Sequence, residues 1–571
     1  MFNHSFRTMK AFYLWVILAA LIAGSVPIAP SQASAADVQP SDCDRTIALN
    51  VNQVWSAAPG DTVCVEAGDR NAQLLFANLA GTADKPIRIV NLGGIVNVTA
   101  SIEWGGALEI RSSKYVYLSG AGVDGVPYGF KVTNNATFGN GVDVNRGSSN
   151  VMIEGVEVSK AGFAGIMMRT DSTSDATSYP AFVQENTVIR HSKVSQVTAN
   201  GADGGYGIFL GIATFGTANA QGRFPHALQG VRVHDNVVSG VDRDALRIFG
   251  ATADVRVYSN ILSDYGAKQD AWKNNGLFIG QGTTGLFYGN TIGKGRGADS
   301  GAGINNQGRG DIDLFNNLIV EPGLYGIVSP SDLADSLAPA GNLPTRIAYN
   351  TIVHPNAEGN GIRLRTASRA STDNTVERNI VVHRAEGLAG NYVRNDNPGY
   401  AVSIADNFMT QDINAPGFVD LSAADPLARD YRLTNGAAAA GKGYAADRPV
   451  AQETWYGPNW LAEGSGEPGT DPGQGGDPYA ALWIDPSYVP DPVAVECDFI
   501  VPTGSPRSWD GSVVWQAVDG QSRTVQPGDT ICVEKGNRSN ALRFVNVHGT
   551  AEAPITITNY GGVVAIKGAP S

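Results

Sequence analysis

Carboxylates, ammonium groups and a histidine crowd the middle of this chain. Asp203 and Tyr206 come first, then Asp242, Arg243 and Asp244, then Lys268, Asp270, Trp272 and Lys273. Lys294, Arg296 and Asp299 follow, and a separate stretch holds Arg223, Phe224 and His226. Two carboxyl groups held roughly 5–10 Å apart can flank a glycosidic bond, one as acid and the other as base or nucleophile. Asp244 and Asp270 fall in successive repeats of the chain, which brings them toward that separation. The bland reading of any charged loop residue is a solvated side chain.

The elements that must position these residues are short strands. One phrase recurs from about residue 86 to residue 390: a Gly, an alternating strand, a turn, a second strand ending in Asn, a third short strand and a loop. Ala245-Leu246-Arg247-Ile248 leads to Val255-Arg256-Val257-Tyr258-Ser259-Asn260-Ile261-Leu262, and Gly276-Leu277-Phe278-Ile279 leads to Leu286-Phe287-Tyr288-Gly289-Asn290-Thr291-Ile292. Asn236, Asn260, Asn290, Asn317, Asn350 and Asn379 mark the repeat, whose period lies in the range of stacked arrays. Helical periodicity is nearly absent. Three strands per repeat suit one coil of a parallel β-helix, each strand pairing with its equivalent about 4.8 Å away. The recurrent Asn is expected at a buried turn, its amide bonded to the coils above and below.

Alternation along each first strand separates inside from outside. The inward set is Leu108, Val142, Ile166, Ile208, Leu246, Leu277, Ile304, Ile327 and Ile362. The outward set runs Glu109, Asp143, Met167, Phe209, Arg247, Phe278, Asn305, Val328 and Arg363, then Arg111, Asn145, Arg169, Gly211, Phe249, Gly280, Gln307, Pro330 and Arg365. Arg, Phe, Asn and Gln stack on sugars and bond to their hydroxyls and carboxylates. Tyr206, Phe209, Arg223, Arg247, Phe249, Phe278, Asn305 and Gln307 are therefore the candidate substrate-binding residues. Phe209, Phe249 and Phe278 make an apolar patch that suggests a binding surface or a loop cover. The competing reading is a solvated face with a few apolar residues.

Composition narrows the classes. The 571 residues include 69 Gly, only 17% are charged, and the net charge is −13. That balance argues against non-specific nucleic-acid binding. No P-loop and no Gly-x-Ser-x-Gly is present. Arg7 and Lys10, the apolar run from Phe12 to Ala23, and Ala33-Ser34-Ala35 read as a secretory signal over residues 1–35. No later stretch reaches the roughly 20 apolar residues of a membrane span, so none is expected after signal removal. Pro59-Gly60-Asp61-Thr62-Val63-Cys64-Val65-Glu66 returns as Pro527-Gly528-Asp529-Thr530-Ile531-Cys532-Val533-Glu534, so a module restarts. The four cysteines fall one pair to each copy, and in an oxidising compartment the expected disulfides are Cys43–Cys64 and Cys497–Cys532.

These phrases resemble the right-handed parallel β-helix superfamily, the pectate-lyase-like fold. The chain is thus expected to be all-β, a right-handed parallel β-helix solenoid with an N-terminal cap, plus a partial second module. The expected boundaries are 40–445 for the first β-helix, 446–496 for a connecting segment with a Gly/Pro/Asp-rich linker, and 497–571 for the cap and first coil of the second. The resemblance implies a secreted, extracellular or periplasmic protein acting on an extracellular acidic polysaccharide by lyase- or hydrolase-type cleavage. In its lyases a cation or Arg neutralises the sugar carboxylate while a base removes the C5 proton. Arg247 would neutralise, and Lys268, Lys273, His226 or Tyr206 would act as base. In its hydrolases acidic pairs act, and Asp242, Asp244 and Asp270 are the candidates. A calcium ion is allowed by the resemblance alone; no metal ligands are assigned. The signatures Asn-Thr-Asp, Gly-His-Gly and Asp-Pro-His-Asp of particular branches are absent. A non-catalytic polysaccharide-binding or adhesion solenoid is the alternative, and duplicated modules gain avidity. Oligomeric state is not readable.

Overall fold

The computed structural model describes residues 37–444 and 497–566, except 174–182, 200, 202, 213–223, 271–272, 297–300, 330–343, 356–357, 366–372, 385–391, 397–400, 503–507, 511, 519–521, 539–542, 549 and 551–554. The expected signal peptide and linker lie outside the described residues, as do Arg223, Trp272 and Asp299.

The chain winds as a parallel β-helix. Twelve parallel strands, from Gln53–Val54 through Tyr206–Leu210, Leu246–Ile248 and Leu277–Ile279 to Val393–Asn395, stack into one sheet. The other strands of each coil join a 23-stranded sheet that runs mainly as two ladders. A single coil shows the plan: Leu246–Ile248 lies in the twelve-stranded sheet, Ala251–Tyr258 in one ladder and Ile261–Ser263 in the next. Among the described residues the helical segments are two short 3-10 turns. None is long or apolar enough to cross a membrane.

The inward set predicted from alternation holds in every coil. Leu108, Val142, Ile166, Ile208, Leu246, Leu277, Ile304, Ile327 and Ile362 pair in one unshifted register from coil to coil. All are fully buried in one continuous core. Each such side chain contributes roughly 1.5–3 kcal/mol by leaving water.

The asparagines form the expected ladder. The Nδ2 of each donates to the Oδ1 of the next, from Asn236 to Asn260, Asn290, Asn317, Asn350 and Asn379, at 2.9–3.0 Å. A further rung, Asn407, extends it. The residue before each Asn adopts a left-handed backbone, as at Ser259, Asn316, Tyr349 and Arg378, whose φ values are 52–55°. A non-glycine residue there costs roughly 1–2 kcal/mol. The buried amide bonds, worth about 1 kcal/mol net each, offset that strain.

Residues 37–444 and 497–566 fall in two compact units. Both predicted disulfides are formed, Cys43–Cys64 and Cys497–Cys532, each with a Cα separation of 5.7 Å. The second unit repeats the strand pattern of the first. Arg45–Ile47 pairs with Thr62–Arg70 and that with Ile87–Ala100, as Phe499–Val501 pairs with Thr530–Arg538 and that with Thr556–Ile566. Even the irregularity recurs, between Glu66 and Gly68 and between Glu534 and Gly536.

Candidate functional site

The outward face of the twelve-stranded sheet is where the predicted binding residues converge, and it differs from the open cleft expected. Phe209, Arg247 and Phe278 are Cα partners on three adjacent strands, so their side chains leave the sheet one above the other. Phe249 follows two residues after Arg247. The rings of Phe209, Phe249 and Phe278 step along the coils at 5.4–5.9 Å between centroids. Tyr206 packs edge-on against Phe209. These aromatics form a buried cluster with Ala164 and Met167.

Arg247 lies at its centre. Its guanidinium carbon is 4.3 Å from the Tyr206 ring centre, 4.9 Å from Phe209, 5.0 Å from Phe249 and 5.1 Å from Phe278. Only 7% of the residue is exposed. Each ring attracts the cation by its negative face, and the attraction strengthens where water is excluded. One carboxylate accompanies it: Asp244 Oδ2 stands 3.4 Å from Arg247 Nε. Asp244 is fully buried, and burial raises its pKa while Arg247 opposes the rise. Its other oxygen accepts from the backbone and side-chain amides of Asn275, at 2.9 and 2.8 Å. Asn305 leans on Asn275 in turn, through a 3.4 Å contact. Gln307, half-buried, is held through its backbone N–H to Ile279.

Most of the predicted acids and bases hold loops in place. Asp242 accepts from the Ala199 amide at 2.8 Å. Lys268 donates its ammonium to the carbonyls of Ala199 and Gly201. Asp270 is clamped by Arg243, which is fully buried. Lys273 makes a 3.8 Å ion pair with Asp203, and Asp203 accepts the Tyr206 hydroxyl at 2.7 Å. Burial raises the Tyr206 pKa, the wrong direction for a base, although Arg247 opposes it. These groups sit where the chain enters the strands. His226 sits beyond their far ends, its N–H bonded to the Asp171 carbonyl. A five-residue strand spans about 16 Å, so His226 does not join the others: Asp242 and Lys268 meet at Ala199, Asp270 is held by Arg243, and Asp244 faces Arg247. Loop conformation, which periodicity does not encode, separates them.

A second polar cluster occupies the same face three strands away. Glu109 and Asp143 are Cα partners on adjacent strands. Glu109 receives Arg111, Gln73 and Asn145. Asp143 receives Asn140 at 2.9 Å and Arg169 at 3.0 Å. Burial, with the Glu109 charge adding to it and Arg169 opposing, pushes the Asp143 carboxyl up to about 6. Both acids stood among the outward positions but were not chosen. Their pairing across one rung was the available signal. Among the described residues no group of three or more His, Cys, Asp or Glu is arranged to hold a metal ion.

No protein-family profile matches the chain, and no curated protein does. Solved structures do. The chain is similar to an alginate lyase from Paenibacillus sp. str. FPU-7, at 17% identity and a TM-score of 0.35, over 64% of this chain and 99% of that one. It is similar to a GH136 lacto-N-biosidase from Eubacterium ramulus, at 15% identity and a TM-score of 0.41, over 64% of each chain. A DFA-IIIase from Arthrobacter chlorophenolicus A6 is similar at 11% identity and a TM-score of 0.31, over 62% of this chain and 85% of that one. None of these likenesses assigns an activity. The chain itself is a parallel β-helix protein with a buried cation among aromatic rings on one sheet face.

Proposed function

We propose that the first module is an extracellular or periplasmic protein that acts on an acidic polysaccharide lying along the outer face of the twelve-stranded sheet, with Arg247 receiving a uronate carboxylate. The observation that carries this is the state of Arg247. Four rings surround its guanidinium, and among the described residues its one ion pair is the 3.4 Å contact with Asp244. Its terminal nitrogens make no hydrogen bond among the described residues. A guanidinium offers a planar fork that matches a carboxylate, and the rings beside it suit the faces of sugars. The net charge of −13 repels polyanions at long range, so this attraction is local and weakens with salt. Two disulfides suit an oxidising compartment.

Incubation with a polyuronide panel tests the reading, by unsaturated-product absorbance and by reducing ends. Product of either kind supports an enzyme. Absence of both cleavage and binding on every polymer contradicts the proposal. A second reading, binding without cleavage, is favoured by the commitment of Asp242, Asp270 and Lys268 to loop contacts. It predicts retention on the polymer with no new ends.

A further inference from the structure

We propose that Glu109 and Asp143 are the catalytic pair of a glycoside hydrolase centre, with Trp104 as the platform for the sugar beside them. The proposal rests on the reading of a polymer along this sheet face and adds the reaction and the residues that perform it.

The placement follows from the register. Glu109 and Asp143 face each other across one rung of parallel strands, which sets their backbones about 4.8 Å apart. Carboxyl groups about 5–5.5 Å apart serve the retaining mechanism. Their surroundings divide the two roles. Glu109 accepts from Arg111 at 2.8 Å and from the amides of Gln73 and Asn145, contacts that orient its carboxyl as a nucleophile needs. Asp143 is fully buried, and its Oδ1 has no hydrogen-bond partner. The Asn145 amide, which donates to Glu109 at 2.8 Å, also favours the Asp143 anion. The rise of the Asp143 carboxyl to about 6 keeps it protonated in mildly acidic solution, as a general acid requires.

Trp104 supplies an independent sign of a ligand. It is 62% exposed although one face lies flat on Phe138, with ring centres 4.5 Å apart and an interplanar angle of 5°. The open indole offers a face for stacking on a pyranose, and Arg169 links the Trp104 carbonyl to Asp143. Arg169, a third exposed, reaches from Asp143 to the Trp104 carbonyl and is the side chain a substrate must displace.

In the first step the Glu109 carboxylate attacks the anomeric carbon, the C–O bond to the leaving sugar breaks, and Asp143 gives that oxygen its proton. In the second, Asp143 takes a proton from water, the hydroxide bonds to the anomeric carbon, and the ester to Glu109 breaks. One water is consumed and both carboxyl groups return to their starting states. Arg247 lies three strands from Asp143, about 14 Å along the axis, and would hold a carboxylate further along the same polymer.

The test compares wild type with Glu109→Gln, Asp143→Asn and Trp104→Ala on polygalacturonate, alginate and hyaluronan, with thermal melts as a folding check. The expected result is reducing ends without unsaturation for wild type, and at least about a hundredfold less for E109Q and D143N, with retention on the polymer preserved. Azide is expected to restore turnover to Glu109→Ala, which a structural carboxylate would not show. Trp104→Ala, on an exposed side chain, should raise KM with little change in kcat. Cleavage by E109Q and D143N within threefold of wild type overturns the proposal. So does unsaturated product. Wild type that binds but never cleaves overturns the pair while leaving the binding face standing. Wild type that neither binds nor cleaves overturns both.

Discussion

The guanidinium of Arg247 lies 4.3 Å from the centre of the Tyr206 ring, and the hydroxyl of Tyr206 donates to Asp203 at 2.7 Å. Through that ring the buried cation is tied to the loop that enters the strand. The loop ion pairs and the sheet face therefore respond together. Replacing Arg247 by Met leaves Asp244 buried without its cation, a change that costs about 3–5 kcal/mol where a buried pair is broken. Urea denaturation should show a loss of that order. Arg247→Lys keeps the charge but not the fork, and should lower affinity for a polyuronide about tenfold with a smaller stability loss.

Asp143 gives stability a pH dependence with a definite sign. Its carboxyl titrates near 6 in the folded protein, above the ordinary value of 3.8. The folded state thus holds the proton more tightly than the unfolded state. This residue favours folding fully below about pH 4, and its contribution is lost as pH rises to about 6. The shift corresponds to about 3 kcal/mol. Denaturation of wild type and Asp143→Asn at pH 4 and pH 7 should show wild type losing that much more between the two. Equal losses would place the Asp143 titration at its ordinary value.

Asn290 accepts from Asn260 above and donates to Asn317 below, and also donates to the Val257 carbonyl. Asn290→Ala leaves these partners buried and unsatisfied, at about 1–3 kcal/mol for each orphaned group. Asn407, half-exposed at the end of the ladder, should cost less on the same change. Chemical denaturation of the two variants measures the difference.

The disulfide between Cys43 and Cys64 closes a separation of 21 residues. A loop of that size restricts the unfolded chain by about 3 kcal/mol. Replacing both cysteines by Ala should lower the melting temperature of the first module, and reductant should do the same to wild type.

The coil architecture was readable because it is local and periodic. Alternation of two placed all nine residues from Leu108 to Ile362 inside, and the spacing of Asn236 to Asn379 marked the turn. The cover over the sheet face was not readable. Glu109, Asp143, Arg247 and Asn305 point outward from their strands yet are at most 7% exposed. Neighbouring side chains close over them, Gln73 and Arg111 on Glu109, Arg169 on Asp143 and four rings on Arg247, and such closure leaves no period in the sequence. Lys268 and Asp242 were chosen by type and position, but their partners are backbone groups of residues 199 and 201. Such contacts depend on loop shape. The residues that meet on the face, Phe209, Arg247 and Phe278, were found because strand register brings them together.

Recognition of a carboxylate by Arg247 is the central claim, and affinity electrophoresis tests it most directly. The gel contains polygalacturonate in one lane set and the same polymer with its carboxyls reduced to alcohols in another. The predicted result is retardation of wild type by the acidic polymer only, and loss of most of that retardation in Arg247→Lys. Equal retardation by both polymers, or undiminished retardation of the variant, would contradict the account.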